Sequence, residues 1–461
     1  MTTSVYVVSD LHLGGAPGFR MCSEQGVKRL AALFEHISRQ AGQGSRIELV
    51  IAGDIVDFLA VEDSGGGGTW SAFTNKHQDA LDKLEEILES TAPVWDGLAA
   101  CARRGCIVTL MLGNHDLELS FPRLRRRLIE KLGGGPIMFL YDNEAYTNGK
   151  LLVEHGNRYD SWNTVDHDGL RRVRSLLSRN QAAAEFATQP GSELVVRVMN
   201  KIKRDYAWVD LLKPETGAAI PILAVLATGL WRKAGPAIVE AARAAWRDRV
   251  FRADRMPRDD SGYVAELDPE APVAEPAFPD EDVLAWVEQN VPRDADGSIG
   301  ALADIEERLL FAAMRKWGEK DSRTFAIENE DERYLDAAST LARGGYSVVI
   351  FGHTHLVKRI ALQDAPGATY LNTGTWADLI RVPESTLTGE QDAARTEFHE
   401  FFQDLEQNRI ERIRRLIPTF ARVDLDDRGE VVQEGVYFFD EGGAITEVTT
   451  AGVLAHLKAA P

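Results

Sequence analysis

Five short polar clusters constrain this 461-residue chain more than any other feature. They are Asp10-Leu11-His12, Gly53-Asp54-Ile55-Val56-Asp57, Gly113-Asn114-His115-Asp116, His155-Gly156-Asn157 and Gly352-His353-Thr354-His355. Each follows a short run rich in Val, Ile and Leu, at 5–9, 48–52, 107–112, 150–154 and 347–351, as in the buried strands of a layered sheet. Five of the ten histidines sit at these predicted strand ends. Residues i and i+2 of an extended chain share a face, so Asp10 and His12 can reach one centre, as can His353 and His355. The recurrent glycines let the backbone turn sharply and approach a ligand closely. Carboxylate and imidazole without thiolate suit borderline or hard divalent ions such as Mn, Fe, Zn or Mg. One such cluster is a weak signal, whereas five together require a fold that gathers strand ends.

The spacing of the runs predicts a split core, residues 1–160 with 341–445. Helices are expected over 27–39 and 78–89, and strands at 369–371, 420–424 and 432–439. Between the halves, 161–340 reads as a mainly helical insertion or cap, with helical patterns at 171–186, 194–208, 238–252 and 301–317. Residues 252–300 are rich in proline and acids and read as a loop or mobile segment. Residues 220–231 are mostly apolar but too short to span a bilayer. They fit a core helix of the insertion, or an interfacial membrane contact or acyl-chain pocket. Residues 446–461 are a tail or helix.

With 71 acidic against 52 basic residues, the formal charge of −19 argues against broad binding to nucleic acid. Cys22, Cys101 and Cys106 form no disulfide framework and read as small buried hydrophobes. The N-terminus runs directly into a strand-like stretch with no basic start, so no signal peptide and a cytoplasmic location are expected, with peripheral membrane association through the insertion as the variant.

The order of the clusters, D-x-H, G-D, G-N-H-[DE], a single His and G-H-x-H, resembles the calcineurin-like metallophosphoesterase superfamily. The resemblance covers the split core and implies an α/β fold, a four-layer αββα sandwich of two mixed sheets. It implies two divalent metal ions, with manganese as the expected metal and iron, zinc or magnesium as alternatives. Asp10, His12 and His355 would hold the first and Asn114, His155 and His353 the second, with Asp54 bridging them. A hydroxide between the metals would attack phosphorus in line. His115 would protonate the leaving oxygen, Asp116 would orient that imidazole, and Asp57 would support the metal ligands or simply start a helix.

The expected substrate is a small-molecule phosphate ester, a phosphodiester or phosphomonoester, nucleotides included. Arg158 is suited to fork onto a phosphate, and Tyr159 or Trp162 to stack on a base or pack against the insertion. The Asp10–Gly15 entry with an inserted cap is also similar to bacterial enzymes that cleave the pyrophosphate of UDP-2,3-diacylglucosamine, although those carry Arg where this chain has His115. A nucleotide-sugar or lipid pyrophosphohydrolase with an acyl-binding cap, a nuclease, and a non-catalytic metal-binding scaffold are the alternatives. Basic runs at 122–127 with Lys131, and at Arg171, Arg172 and Arg174, read as solvated helix faces or as steering for an anionic substrate. The oligomeric state is not legible in the sequence.

Overall fold

The computed structural model describes residues 2–41, 46–65, 67–182, 186–213, 222, 311 and 323–458. The chain divides into two compact units. The first comprises Met1–Leu211, Gly318–Arg381 and Gln403–Pro461, the second Leu212–Trp317 and Val382–Phe402. The expected helical patterns at 238–252 and 301–317, the apolar 220–231 stretch and the 252–300 loop lie outside the described residues, apart from isolated positions 222 and 311.

In the first unit the apolar runs become strands β1 (Thr3–Val8), β2 (Arg46–Ala52), β3 (Ile107–Met111), β4 (Ile137–Leu140), β5 (Tyr146–Asn148) and β6 (Leu151–Val153). Past the short β7 (Leu212–Lys213) come β8 (Val348–Phe351), β9 (Val357–Ala361) and β10 (Thr369–Thr373), then the short β11 (Ile380–Arg381). β12 (Thr419–Leu425), β13 (Val431–Phe439) and β14 (Ile445–Glu447) end the strand series, and a helix over Thr450–Lys458 follows. One sheet runs β14-β13-β12-β1-β2-β3-β4, the other β5-β6-β8-β10-β9. Both are mixed: β1 to β4 are mutually parallel while β12 joins β1 antiparallel, and β6, β8 and β10 are parallel between antiparallel edges.

Strand alternation builds four layers from this connectivity. Tyr6, Val8, Leu49, Ile51, Val108 and Leu110 point to one side of the first sheet. There they pack with Leu30, Leu33 and Phe34 of α1 (Glu24–Gln40), Leu84 and Ile87 of α2 (His77–Ser90), Leu98 of α3 (Ala92–Arg103) and Leu124 and Leu128 of α4 (Pro122–Lys131). The alternate residues Val5, Val7, Val50, Ala52 and Met111 point inward and meet Leu151, Val153, Ile350 and Leu371 of the second sheet. The far face of that sheet, Leu152, Val349, Phe351 and Tyr370, is covered by Tyr334, Ala338 and Leu341 of the helix Glu332–Arg343. Period-two burial on both sheets is what the unbroken apolar runs encode. Ser23 starts α1 by accepting the Gly26 N–H at 3.2 Å. A Cβ on Gly97 of α3 would sit 3.1 Å from the Phe34 Cβ, so glycine there lets α1 and α3 approach closely.

Parts of the expected insertion pack in the first unit. Asn200 donates to the Leu59 carbonyl at 2.8 Å and the Trp208 indole to the Leu405 carbonyl at 3.0 Å, so 161–211 is anchored well outside itself. Helical spacing reports an apolar stripe, not the partner that covers it. The helix expected over 171–186 is instead α5 (His167–Ser178): Asn180 takes φ 56°, a left-handed turn that Asn tolerates, and ends it. The 194–208 pattern is one continuous helical run, Pro190–Lys203, whose middle, Val195–Met199, is wound as a π-helix. In the second unit, Phe311 and Phe398 rings lie 5.6 Å apart, and Phe398 and Phe402 6.0 Å. No helix among the described residues is long and apolar enough to cross a membrane.

A buried polar tie joins the sheets between β2 and β5. Glu48 of β2, 3% exposed, accepts the Tyr146 hydroxyl at 2.7 Å and the Asn148 amide at 3.2 Å from β5, and pairs with Arg46 at 2.7 Å. Glu48→Ala leaves a buried phenol unpartnered, and we expect a loss of about 1.5–3 kcal/mol, measured by urea denaturation. A loss under about 0.5 kcal/mol would show that the tie is not a stabilising one.

Candidate metal centre

The five clusters meet where the ends of the two sheets converge. Three of them leave their strands through a backbone that side chains rarely adopt: Asp10 (φ 53°), His12 (φ 43°), Asp54 (φ 49°), His353 (φ 69°) and His355 (φ 63°) are left-handed. The remaining non-glycine residues at positive φ among those described are Asn143, Asn180 and Asn408, the residue type that tolerates it. Strain of this kind, about 1–3 kcal/mol per residue, persists where the surroundings over-determine it and gathers at functional sites. The surroundings here are cross-links. Asp10 N–H donates to Gly53 O at 3.1 Å, His12 N–H to Asp54 O at 3.0 Å, and Gly352 N–H to His155 O at 2.9 Å.

Glycine is required where the loops touch. A Cβ on Gly113 would lie 2.0 Å from Asp54 Oδ1, one on Gly352 2.5 Å from Asp10 Oδ2, and one on Gly53 2.6 Å from His155 Nδ1.

The side chains expected to ligate form two groups. Asp10, His12 and His355 have donor atoms within 4.8 Å of one another, as do Asp54, His155 and His353. His12 Nε2 lies 2.9 Å from His355 Nε2, and Asp10 Oδ1 3.4 Å from the latter. In the second group Asp54 Oδ2 is 3.2 Å from His155 Nε2, which is also 3.2 Å from Asn114 Oδ1. The same Asp54 oxygen is 3.9 Å from His12 Nε2, so it faces both groups.

The chemistry of these donors fits divalent cations. Asp10 Oδ2 accepts from Ser9 Oγ and from the His353 N–H, while the buried Oδ1 has no hydrogen bond at all. An orphaned buried carboxylate oxygen among imidazole nitrogens is costly unless a cation satisfies it. His155 turns Nδ1 to the Ala52 carbonyl at 2.8 Å, which leaves Nε2 facing Asp54 and Asn114. Burial alone would lower its pKa, but Asp54 and Asp10 outweigh that and raise it to about 9. Burial likewise opposes ionisation of Asp10, and His355 and His155 overcome it to bring its pKa to about 2.

His115 is placed differently. Its side chain is 18% exposed, the most open of the five histidines here, and its Nδ1 lies 3.2 Å from Asp57 Oδ1. Burial lowers its pKa, but the Asp57 and Asp54 carboxylates raise it to about 10. Asp57, rather than the expected Asp116, is the carboxylate in contact with this imidazole. Its Oδ1 also accepts the Leu59 and Ala60 N–H groups that begin a short 3₁₀ turn, and its Oδ2 is 3.4 Å from His12 Nδ1. Asp116 is fully buried and accepts the Gly113 and Ile55 N–H groups, each at 2.7 Å, locking two loops together. Sequence adjacency favoured Asp116. The turn, however, directs its carboxylate into backbone donors.

The expected substrate contacts have intramolecular partners. Arg158 donates to the Asn143 carbonyl and side chain and pairs with Glu154, and Tyr159 donates to Glu154 at 2.8 Å with its ring on Phe351. Neither joins the clustered donors. Within the basic runs, Arg127 pairs with Glu85, Lys131 with Asp96, Arg171 and Arg174 with Asp142, and Arg172 with Asp166. Ser9, which holds Asp10, was missed by sequence reasoning, and its place directly before the D-x-H motif was the available signal.

Two convergent mixed sheets with this donor set define a metal-dependent phosphoester hydrolase. Residues 3–198 match the family model described as calcineurin-like phosphoesterase, so the chain carries a domain of that family. The match includes four of the five clusters, and the fifth, at 352–355, joins them only through the fold. No curated protein matches the chain.

The glycine contact gives a direct test. Gly113→Ala should displace Asp54 and weaken binding of divalent cations at least about tenfold in titration calorimetry while leaving the far-ultraviolet dichroism unchanged. Unaltered binding would show that Asp54 is not held by this contact.

Proposed function

We propose that this protein hydrolyses a phosphate ester of a small organic molecule or nucleotide at a pair of divalent cations, with manganese the preferred metal. The observation that carries this reading is Asp54, whose Oδ2 faces His155 on one side and His12 on the other. When bound, such a pair supplies a hydroxide nucleophile near neutral pH and a positive clamp on the phosphate oxygens. Asp10, His12 and His355 would hold one cation and Asn114, His155 and His353 the other, with Asp54 between them.

His115 supplies the proton. With Nδ1 on Asp57 and the ring charged, Nε2–H is available for an oxygen leaving from phosphorus. Its exposure, next to buried donors, is what a group that must meet substrate needs. Ion pairing of Arg127, Lys131, Arg171 and Arg174 within the chain, together with the −19 charge, favours a small ester over a nucleic acid, which needs basic side chains to track its phosphate backbone. A cytoplasmic location belongs to the same reading.

A manganese-supplemented screen of mono-nitrophenyl, bis-nitrophenyl, nucleotide and UDP-sugar esters tests it. We expect turnover that chelation abolishes, and a purified chain that neither binds divalent cations nor hydrolyses any of these esters would refute the reading. For esters with poor leaving groups, His115→Ala should lower turnover about 10²–10⁴-fold with metal content retained. Full activity in that variant would remove the proton-donor role.

A further inference from the structure

The 157–163 loop touches two of the candidate second-cation ligands at once. Asp160 Oδ2 lies 3.1 Å from His353 Nε2 and accepts the Asn163 side-chain amide at 2.8 Å. Asn163 Oδ1 in turn accepts from Asn114 Nδ2 at 3.4 Å, and the Asn163 carbonyl accepts from Asn157 Nδ2 at 2.9 Å. The result is a chain of contacts, His353–Asp160–Asn163–Asn114, between residues 239 positions apart in sequence. A Cβ on Gly191 would lie 2.3 Å from Asn163 Oδ1, so the next segment closes over the bridge.

We propose that Asp160 and Asn163 are positioning residues that set the affinity of the second cation site. The inference rests on the metal-dependent reading above. Histidines that hold metals usually donate their other ring N–H to a carboxylate or carbonyl, which fixes tautomer and ring orientation. His155 does so with the Ala52 carbonyl, and Asp160 does so for His353, leaving Nδ1 of that ring as the donor for a cation. Asn163 performs the matching task for an amide. By accepting from Asn114 Nδ2 it determines which way the amide is turned, so Asn114 Oδ1 faces His155 Nε2 at 3.2 Å. The first group is oriented by other residues: Ser9 holds Asp10, and Asp57 faces His12. The groups share Asp54 and the His353 N–H bond to Asp10 Oδ2, but the side-chain supports differ, so disturbing Asp160 should weaken the second site far more than the first.

Asp160→Asn separates this role from simple packing. Asp160 Oδ1 accepts the Trp162 N–H at 3.0 Å, so an amide oxygen would keep that place. Its NH₂ would then face the N–H donors of His353 and Asn163, and the contact would become repulsive. Manganese titration of the full chain by calorimetry, with thermal melting in chelator as a control, is the test. We expect two binding events in the unaltered protein. In Asp160→Asn one should weaken about 10–100-fold while the other and the chelator melting temperature hold. Asn163→Ala should weaken the same event by less. If the unaltered protein binds two cations and both variants keep both affinities, or lose both events equally, the positioning role is overturned. An unaltered protein that binds no cation would instead overturn the metal-dependent reading itself.

Discussion

The contact on which the site depends is the meeting of strand-end loops at backbone distance. Asp10 and His12 donate their N–H groups to the carbonyls of Gly53 and Asp54, and Trp376 N–H reaches the Asp10 carbonyl at 3.0 Å. Those bonds, with the glycines at 53, 113 and 352, leave no room for a relaxed backbone at the donor residues. Left-handed geometry at five donor positions follows from that crowding. The strain is offset by the surrounding core, since the strands on both sides of the loops are almost wholly buried. A rigid scaffold is thus converted into side chains aimed at shared points.

Charge explains why the arrangement needs cations. Asp10, Asp54 and Asp57 are each at most 4% exposed and lie against His12, His115, His155 and His355. Burial opposes charge on both kinds of group, so each depends on the other for compensation. The Asp10 oxygen without a hydrogen bond shows that protein groups alone do not complete the balance. The outward atoms of these side chains are held: Asp57 serves His12 and His115, the Ala52 carbonyl serves His155, and Asp160 serves His353. The Nε2 atoms of His12, His155 and His355 face the Asp54 and Asp10 carboxylates.

Much of this was legible because the chemistry sits at element boundaries. Apolar runs of four to six residues ending in Asp or His disclose a strand and the side chain at its tip together, as with 48–52 followed by Gly53 and Asp54. The family order of motifs then supplied the pairing of clusters, which periodicity cannot give. What failed to show was direction. Asp116 and Asp57 stand equally near the ligands in sequence, yet a turn sends one to backbone N–H groups and the other to His115. Arg158 and the arginines of α5 looked available because their partners, Asn143 and Asp142, come from a different loop. The α5 boundary was missed for a local reason, a single Asn in the left-handed region.

Arginine pairing also bears on how the ester is chosen. Arg125 stacks on the Tyr141 ring at 3.4 Å, Arg171 and Arg174 close on Asp142, and Arg158 grips Asn143, so four guanidinium groups pin the loop that follows β4. Exposed ion pairs of this kind add little stability one by one. Acting together on three consecutive residues, they restrict a loop next to the strand ends that carry the metal donors. Cations committed to shaping a loop are not free to bind phosphate, so in the function proposed above recognition of the phosphoryl group is left to the metals and to His115, groups that do not distinguish one ester from another. Selection among esters must then come from shape and from contacts to the organic portion, a property of the surfaces around the centre and not of the motifs that reveal it.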